Sequence, residues 1–135
     1  MTNFLLDTNI LSDLVRNPGG RVAEQISKVG ESAIATSIIV AAELRFGAVK
    51  SGSKRLATQL DAILGRLIIL PFDAPADEHY GQLRHDLQKK GQVIGANDML
   101  IAAHALALGR TLVTDNLGEF KRVRGLSTKN WLRTP

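Results

Sequence analysis

The stretch Asn3-Phe4-Leu5-Leu6-Asp7-Thr8-Asn9-Ile10-Leu11-Ser12 decides the fold. Three large apolar residues in a row, closed by one acid, read as a short buried strand, Asn3–Asp7. The following residues, Asn9–Arg16, read as a helix that the Asn17-Pro18-Gly19-Gly20 turn stops. A short apolar strand passing directly into a helix is the repeating unit of a parallel α/β sheet. In such a sheet the functional crevice lies beyond the carboxyl ends of the strands. Asp7 stands at that end.

The unit recurs along the chain. Arg21–Val29 reads as a short amphipathic helix and Ser32–Thr36 as a second strand. Ser37 is suited to cap the helix Ile38–Lys50. The Ser51-Gly52-Ser53 turn leads to a helix ending near Leu64. Leu67–Leu70 reads as a third strand, ended by Pro71. Pro75 can start a long helix with Tyr80, Leu83 and Leu87 on one face, ending near Lys89-Lys90-Gly91. Asn97 is expected to cap an apolar helix, Asp98–Leu108, with Gly109 at its C-terminal end. Thr111–Thr114 forms a fourth strand, followed by Asp115 and a helical turn near Glu119–Phe120. A last strand is expected near Leu126 or Trp131. The pattern predicts a single α/β domain over residues 1–135, an α/β/α sandwich around a mostly parallel sheet.

Composition narrows the chemistry. The chain has 135 residues and no cysteine, which removes disulfides, thiolate metal sites and cysteine nucleophiles. Absence of cysteine and of a signal-like segment fits a reducing cytoplasm. No apolar run is long enough to span a membrane. Only 4% of residues are aromatic, so the core must be built from Leu, Ile, Val and Ala. The net charge is +4, which suits an anionic partner, nucleic acid first among them, and suits an ordinary surface as well.

Four acids fall where a sheet of this kind gathers its functional groups. Asp7 and Asp115 follow strands. Asp98 opens a helix on the same edge. Glu43 lies one to two turns into the helix after the second strand, among Val40, Ala41, Ala42, Leu44 and Phe46. Singly, each has an ordinary explanation: Asp7 as a helix cap, Asp98 as a partner of the helix dipole, Asp115 as a turn residue, Glu43 as a solvated helix position. Together they point to one site. Carboxylates held close repel, and a divalent cation relieves the repulsion. Oxygen ligands without cysteine, and with little histidine, favour Mg²⁺ or Mn²⁺ over Zn²⁺. The reaction such a site performs is phosphodiester hydrolysis, with a spare carboxylate taking the proton of the attacking water.

Four motifs in order carry a resemblance. They are Leu5-Leu6-Asp7-Thr8-Asn9-Ile10-Leu11-Ser12, Ser37-Ile38-Ile39-Val40-Ala41-Ala42-Glu43-Leu44 with Gly47, Asn97-Asp98-Met99-Leu100-Ile101-Ala102-Ala103-His104-Ala105, and Leu112-Val113-Thr114-Asp115-Asn116. From Phe4 to Trp131 the chain resembles the PIN-domain ribonucleases, and within them the VapC toxins of bacterial toxin–antitoxin pairs. The resemblance implies a metal held through Asp7 and Asp98, with Glu43 and Asp115 completing the acidic site. It implies that Thr8, Asn9, Ser12 and Thr114 support that site, and that Asn116 can share the role of Asp115. It implies a homodimer and a VapB antitoxin that covers the active site, with operator DNA bound only through the antitoxin. Ile94-Gly95, His104, Glu119-Phe120, Val123, Gly125-Leu126 and Trp131 resemble the group that cleaves initiator tRNA in the anticodon loop.

Arg45, Lys121, Arg122 and Arg124 are candidates for phosphate contacts, with a solvated face as the plain alternative. Tyr80 and Trp131 could stack on bases but have core-like contexts. His79, His85 and His104 lack metal-ligand pairing, and His104 is expected to be packed and hydrogen-bonded. Two other functions remain in view. A Mg²⁺-dependent phosphatase of the haloacid dehalogenase type would need a second Asp where Asn9 stands. A non-catalytic RNA- or partner-binding module would not need all four acids.

Overall fold

In the computed structural model of the chain, which describes residues 2–133, five strands form one sheet. They are β1 (Phe4–Leu6), β2 (Ile34–Ser37), β3 (Ile69–Leu70), β4 (Thr111–Val113) and β5 (Thr128–Lys129), in the order β3-β2-β1-β4-β5. Every pairing is parallel. Leu5 of the central strand lies beside Ala35 on one side and Leu112 on the other, and all three are fully buried. An uninterrupted apolar run is what a strand with two covered faces requires.

Seven α-helices accompany the sheet among the described residues: α1 (Thr8–Arg16), α2 (Arg21–Val29), α3 (Ile38–Ser51), α4 (Lys54–Leu64), α5 (Ala76–Lys89), α6 (Ala96–Leu108) and α7 (Leu117–Phe120). α1 packs with α2, α3 and α4, while α5 packs along α6. This is the expected α/β/α sandwich. α6 buries Met99, Ile101, Ala102, Ala103, His104 and Ala105, as its all-round apolar sequence demands. The Ser37 hydroxyl accepts from the Ile39 N–H at 3.0 Å and caps α3. Gly109, at φ 65°, ends α6 in the left-handed conformation that a Cβ disfavours.

Some boundaries differ from the sequence expectation. α1 begins at Thr8, because the Asp7 carboxylate caps it. Glu31–Ala33 winds into a 3₁₀ turn, so β2 starts at Ile34 and runs on to Ser37. β3 is reduced to Ile69–Leu70. β5 falls between the two positions expected for it. The helix holding Asp98 begins at Ala96 with Gly95 as its cap, so Asn97 lies inside the first turn and caps nothing. The first turn takes both polar residues because Gly95 and not Asn97 supplies the extended backbone.

Candidate active site

Parallel strands bring their carboxyl ends to one edge. The ladder continues one residue past β1 and β4, with the Asp7 N–H donating to the Val113 carbonyl and Thr114 N–H to the Lys129 carbonyl. Asp7 and Thr114 therefore emerge side by side. The Thr114 hydroxyl donates to Asp7 Oδ2 at 2.8 Å, and the Thr8 N–H donates to Asp7 Oδ1 at 2.8 Å. Asp7 is buried, at 3% exposure, and both carboxylate oxygens are engaged. Burial raises its pKa, and the nearby Glu43 charge adds to the rise, against the lowering effect of its two donors.

Glu43 arrives from α3. Its Oε1 accepts the Thr8 hydroxyl at 2.8 Å, so one threonine contacts two of the acids through different atoms. Asp98 arrives from the first turn of α6. Its pKa is pushed up to about 7, first by burial, then by a hydrogen bond with the Glu119 carboxyl, then by the charges of Asp7, Glu119 and Glu43. Asp7, Glu43 and Asp98 line one open cleft of about 360 Å³ with Thr8, Asn9, Ser12, Arg16 and Asn116.

Glu119, read in the sequence only as part of the initiator-tRNA resemblance, was left out of the acidic site. It lies in α7, and its Oε2 also accepts from the Asn116 amide at 2.8 Å. A signal was available. Asn116-Leu117-Gly118-Glu119 has the spacing of a capping box, which brings the first and fourth side chains together directly after a strand.

Asp115 is placed elsewhere. Its Oδ1 accepts from Asn130 Nδ2 at 2.8 Å and Arg133 Nε at 3.0 Å, and these donors lower its pKa. The residue contributes its backbone instead, donating N–H to Asn9 Oδ1 at 3.0 Å. Asn9 in turn reaches the Thr114 hydroxyl, which also accepts the Asn116 N–H at 3.0 Å. The strand-end rule finds the edge, but residues next to each other point to opposite sides of an extended backbone.

The expected phosphate contacts are also dispersed. Arg45 follows Glu43 by two residues, about 200° around a helix, and pairs with Asp61 at 2.8 Å. Arg122 donates to the Val93 carbonyl, and Arg122 and Arg124 line a separate groove. Lys121 is exposed outside the cleft. Trp131 is buried against Phe4, with ring centres 5.1 Å apart, and Tyr80 is half-buried under Arg84. His104 is buried as expected, with Nδ1 2.8 Å from the Ser37 hydroxyl.

The donor set fits a hard cation. It is all oxygen, and the charges of Asp7, Glu119 and Glu43 around Asp98 mark a place where positive charge is wanted. Among the described residues no three acids or histidines close into a ligand cage by themselves. Mg²⁺ keeps several waters and takes one or two carboxylates, so an open arrangement suits it.

Residues 4–126 match the model of the PIN domain family, and the chain belongs to that family, among its VapC ribonucleases. It is 42% identical to "Ribonuclease VapC2" of Rickettsia felis over 95% of this chain and 97% of that protein. It is 36% identical to the "tRNA(fMet)-specific endonuclease VapC" of Shigella flexneri, over 97% of this chain and 99% of that one. The fold superposes on a chain in the crystal structure of VapBC2 from Rickettsia felis bound to a DNA fragment from their promoter. The TM-score is 0.84 at 40% identity, covering 96% of this chain and 99% of that one.

Proposed function

We propose that the chain is the toxin of a type II toxin–antitoxin pair, hydrolysing RNA phosphodiester bonds with Mg²⁺, or Mn²⁺ in its place, at the Asp7, Glu43, Asp98 and Glu119 cleft. The observation that carries this reading is that Asp7, Glu43 and Asp98, brought from the end of β1, from α3 and from α6, line one open cleft. Structural acids are kept apart or paired with cations. Acids driven together at a strand edge are arranged for a cation and a polyanion.

The residues divide the work. Asp7, fixed by Thr8 N–H and the Thr114 hydroxyl, and Asp98 would hold the ion. Bound there, Mg²⁺ supplies positive charge to the phosphate and acidifies water. Glu43, steadied by the Thr8 hydroxyl, accepts the proton of the attacking water. Glu119 takes the fourth place that the motif spacing assigned to Asp115, and Asn116 holds Glu119 in position. Asn9 ties the Asp115 backbone to Thr114 and so supports Asp7 indirectly. The phosphatase alternative loses ground on this point, since Asn9 is committed to those bonds and offers no second carboxylate.

The substrate is tRNA, with the initiator tRNA anticodon loop as the specific target, so that translation in the cytoplasm stops. The name of the Shigella flexneri relative supports this target. Of the residues that resemble the initiator-tRNA group, Ile94, His104, Phe120, Val123 and Trp131 do not read RNA directly, because they are buried. They mark kinship through the core. A VapB-type antitoxin would cover the cleft and carry any operator DNA contact. A homodimer is supported by α3, where Ile38, Phe46 and Val49 are exposed with Ala42 at helical spacing.

The test is cleavage of purified tRNA by the purified chain with Mg²⁺. Chelator should stop it, and Asp7→Asn and Asp98→Asn should abolish it with the fold intact. Retention of cleavage by both variants would sink the metal-site reading. Sequencing of RNA ends after brief expression decides the target.

A further inference from the structure

The acidic cleft continues along α1. Asn9, Ser12 and Arg16 stand at i, i+3 and i+7 and share a helix face. Seven residues of helix rise about 10 Å. Arg16 therefore closes the end of the cleft remote from the carboxylates. It also lines the next hollow, of about 540 Å³, over the Asn17–Gly20 turn. That hollow shares Arg21 with a third, of about 720 Å³, whose walls include Lys129, Asn130 and Arg133. Shared wall residues make the three one track, running from the acids to the β5 edge of the sheet.

The track is basic. Arg16, Arg21, Lys129 and Arg133 line it against Asp13 and Glu24. Among the described residues, Arg133 pairs with Asp115, while Arg16, Arg21 and Lys129 have no ion pair. Arg21 Nη1 donates to the Leu132 carbonyl at 3.1 Å, which orients the guanidinium and leaves its charge unmatched. Lys129 Nζ stands 5.8 Å from the centre of the Phe4 ring and remains exposed. The groove of Arg122 and Arg124 shares no wall residue with the cleft.

A polyanion entering a cleft of acids is repelled there and must be held by cations outside it. Trp131, the one aromatic on the track, is buried edge-on against Phe4 and offers no open face for a base. Contacts along the track are then to phosphates, which position a strand without reading its sequence. We propose that the RNA strand flanking the scissile phosphate lies along this track, with Arg16, Arg21 and Lys129 as its phosphate contacts. This rests on the nuclease reading above.

The test is fluorescence anisotropy of an end-labelled, unstructured RNA of about 16 nucleotides, with the whole chain, in chelator, across roughly 50–200 mM salt. At ~0.7 of log–log salt slope per single-strand phosphate contact, R16Q/R21Q/K129Q should lose about 2 in slope. R16K/R21K, which keeps the charges, should keep the slope. If the triple variant melts early, R16Q and K129Q alone should each lose ~0.7, since neither residue donates a packing hydrogen bond. The proposal is overturned if the wild type does not bind, if the slope does not move, or if K121Q/R122Q/R124Q removes it instead. Because binding is read without metal, a chain that binds by these residues and cuts nothing keeps the track and loses the nuclease reading. A chain that cuts while its slope ignores these residues does the reverse.

Discussion

Asp98 sits in the first turn of α6, where the helix dipole favours a negative charge, yet its pKa rises to about 7. Burial is the largest cause, followed by the shared hydrogen bond with Glu119 and the nearby acids. Over the window between its ordinary 3.8 and about 7, the folded metal-free protein holds a proton that the unfolded chain has released. Stability is therefore fully present below about pH 4 from this group and is lost as pH rises through 7. Asp7 is shifted in the same direction. We expect the urea midpoint of the chelated protein to fall across this window. Asp98→Asn should flatten that fall, and an unchanged slope would refute the coupling. A second prediction separates Glu119 from Asp115. Glu119→Gln should slow single-turnover RNA cleavage by roughly 100-fold. Asp115→Asn should slow it by less than about tenfold, because its carboxylate faces Asn130 and Arg133. The sequence made Asp7, Glu43 and Asp98 visible through strand ends and motif spacing. It could not separate Asp115 from Glu119, since both follow β4 within six residues and only the course of the chain into α7 decides which turns inward.

The helices show where local signals suffice. Ser37 caps α3 as its type and position indicate, and it also meets His104 across 67 residues of sequence. A cap and a buried imidazole then depend on one hydroxyl. Burial holds the His104 pKa low, so the ring is neutral and needs that partner. Ser37→Ala should cost about 2 kcal/mol, near the upper end for losing a cap, because a buried polar ring is left without its bond. Urea unfolding measures this, and a loss of only a few tenths would show that the His104 contact is dispensable. Gly109→Ala should cost about 1 kcal/mol, because the alanine Cβ is strained at φ 65°. Asn97 shows the opposite case. Its residue type suits a cap, but Gly95 takes the extended conformation two residues earlier, and tertiary packing of α6 sets that start.

At the scale of the whole molecule, α3 carries an exposed apolar stripe. Phe46 is 68% exposed and Val49 81%, which is unusual for large apolar side chains on a helix whose other face is buried. Phe46→Asp with Val49→Asp should convert a dimer to a monomer in sedimentation velocity while leaving the circular dichroism spectrum unchanged. A wild type that sediments as a monomer would refute the dimer reading. The sequence by itself determined the fold class, the order of strands and helices, and three of the acids. Each of these follows from local apolar runs, turn residues and short spacings. The attachment of Glu119 to Asn116 at the cleft and the dispersal of Arg45, Arg122 and Arg124 were decided only by tertiary structure. So was the basic path through Arg16, Arg21 and Lys129. The physical reason is that side-chain direction around a helix or beyond a strand end depends on packing between elements far apart in sequence. Arg16 and Lys129 lie 113 residues apart, and only the placing of β5 at the edge of the sheet brings them onto one surface.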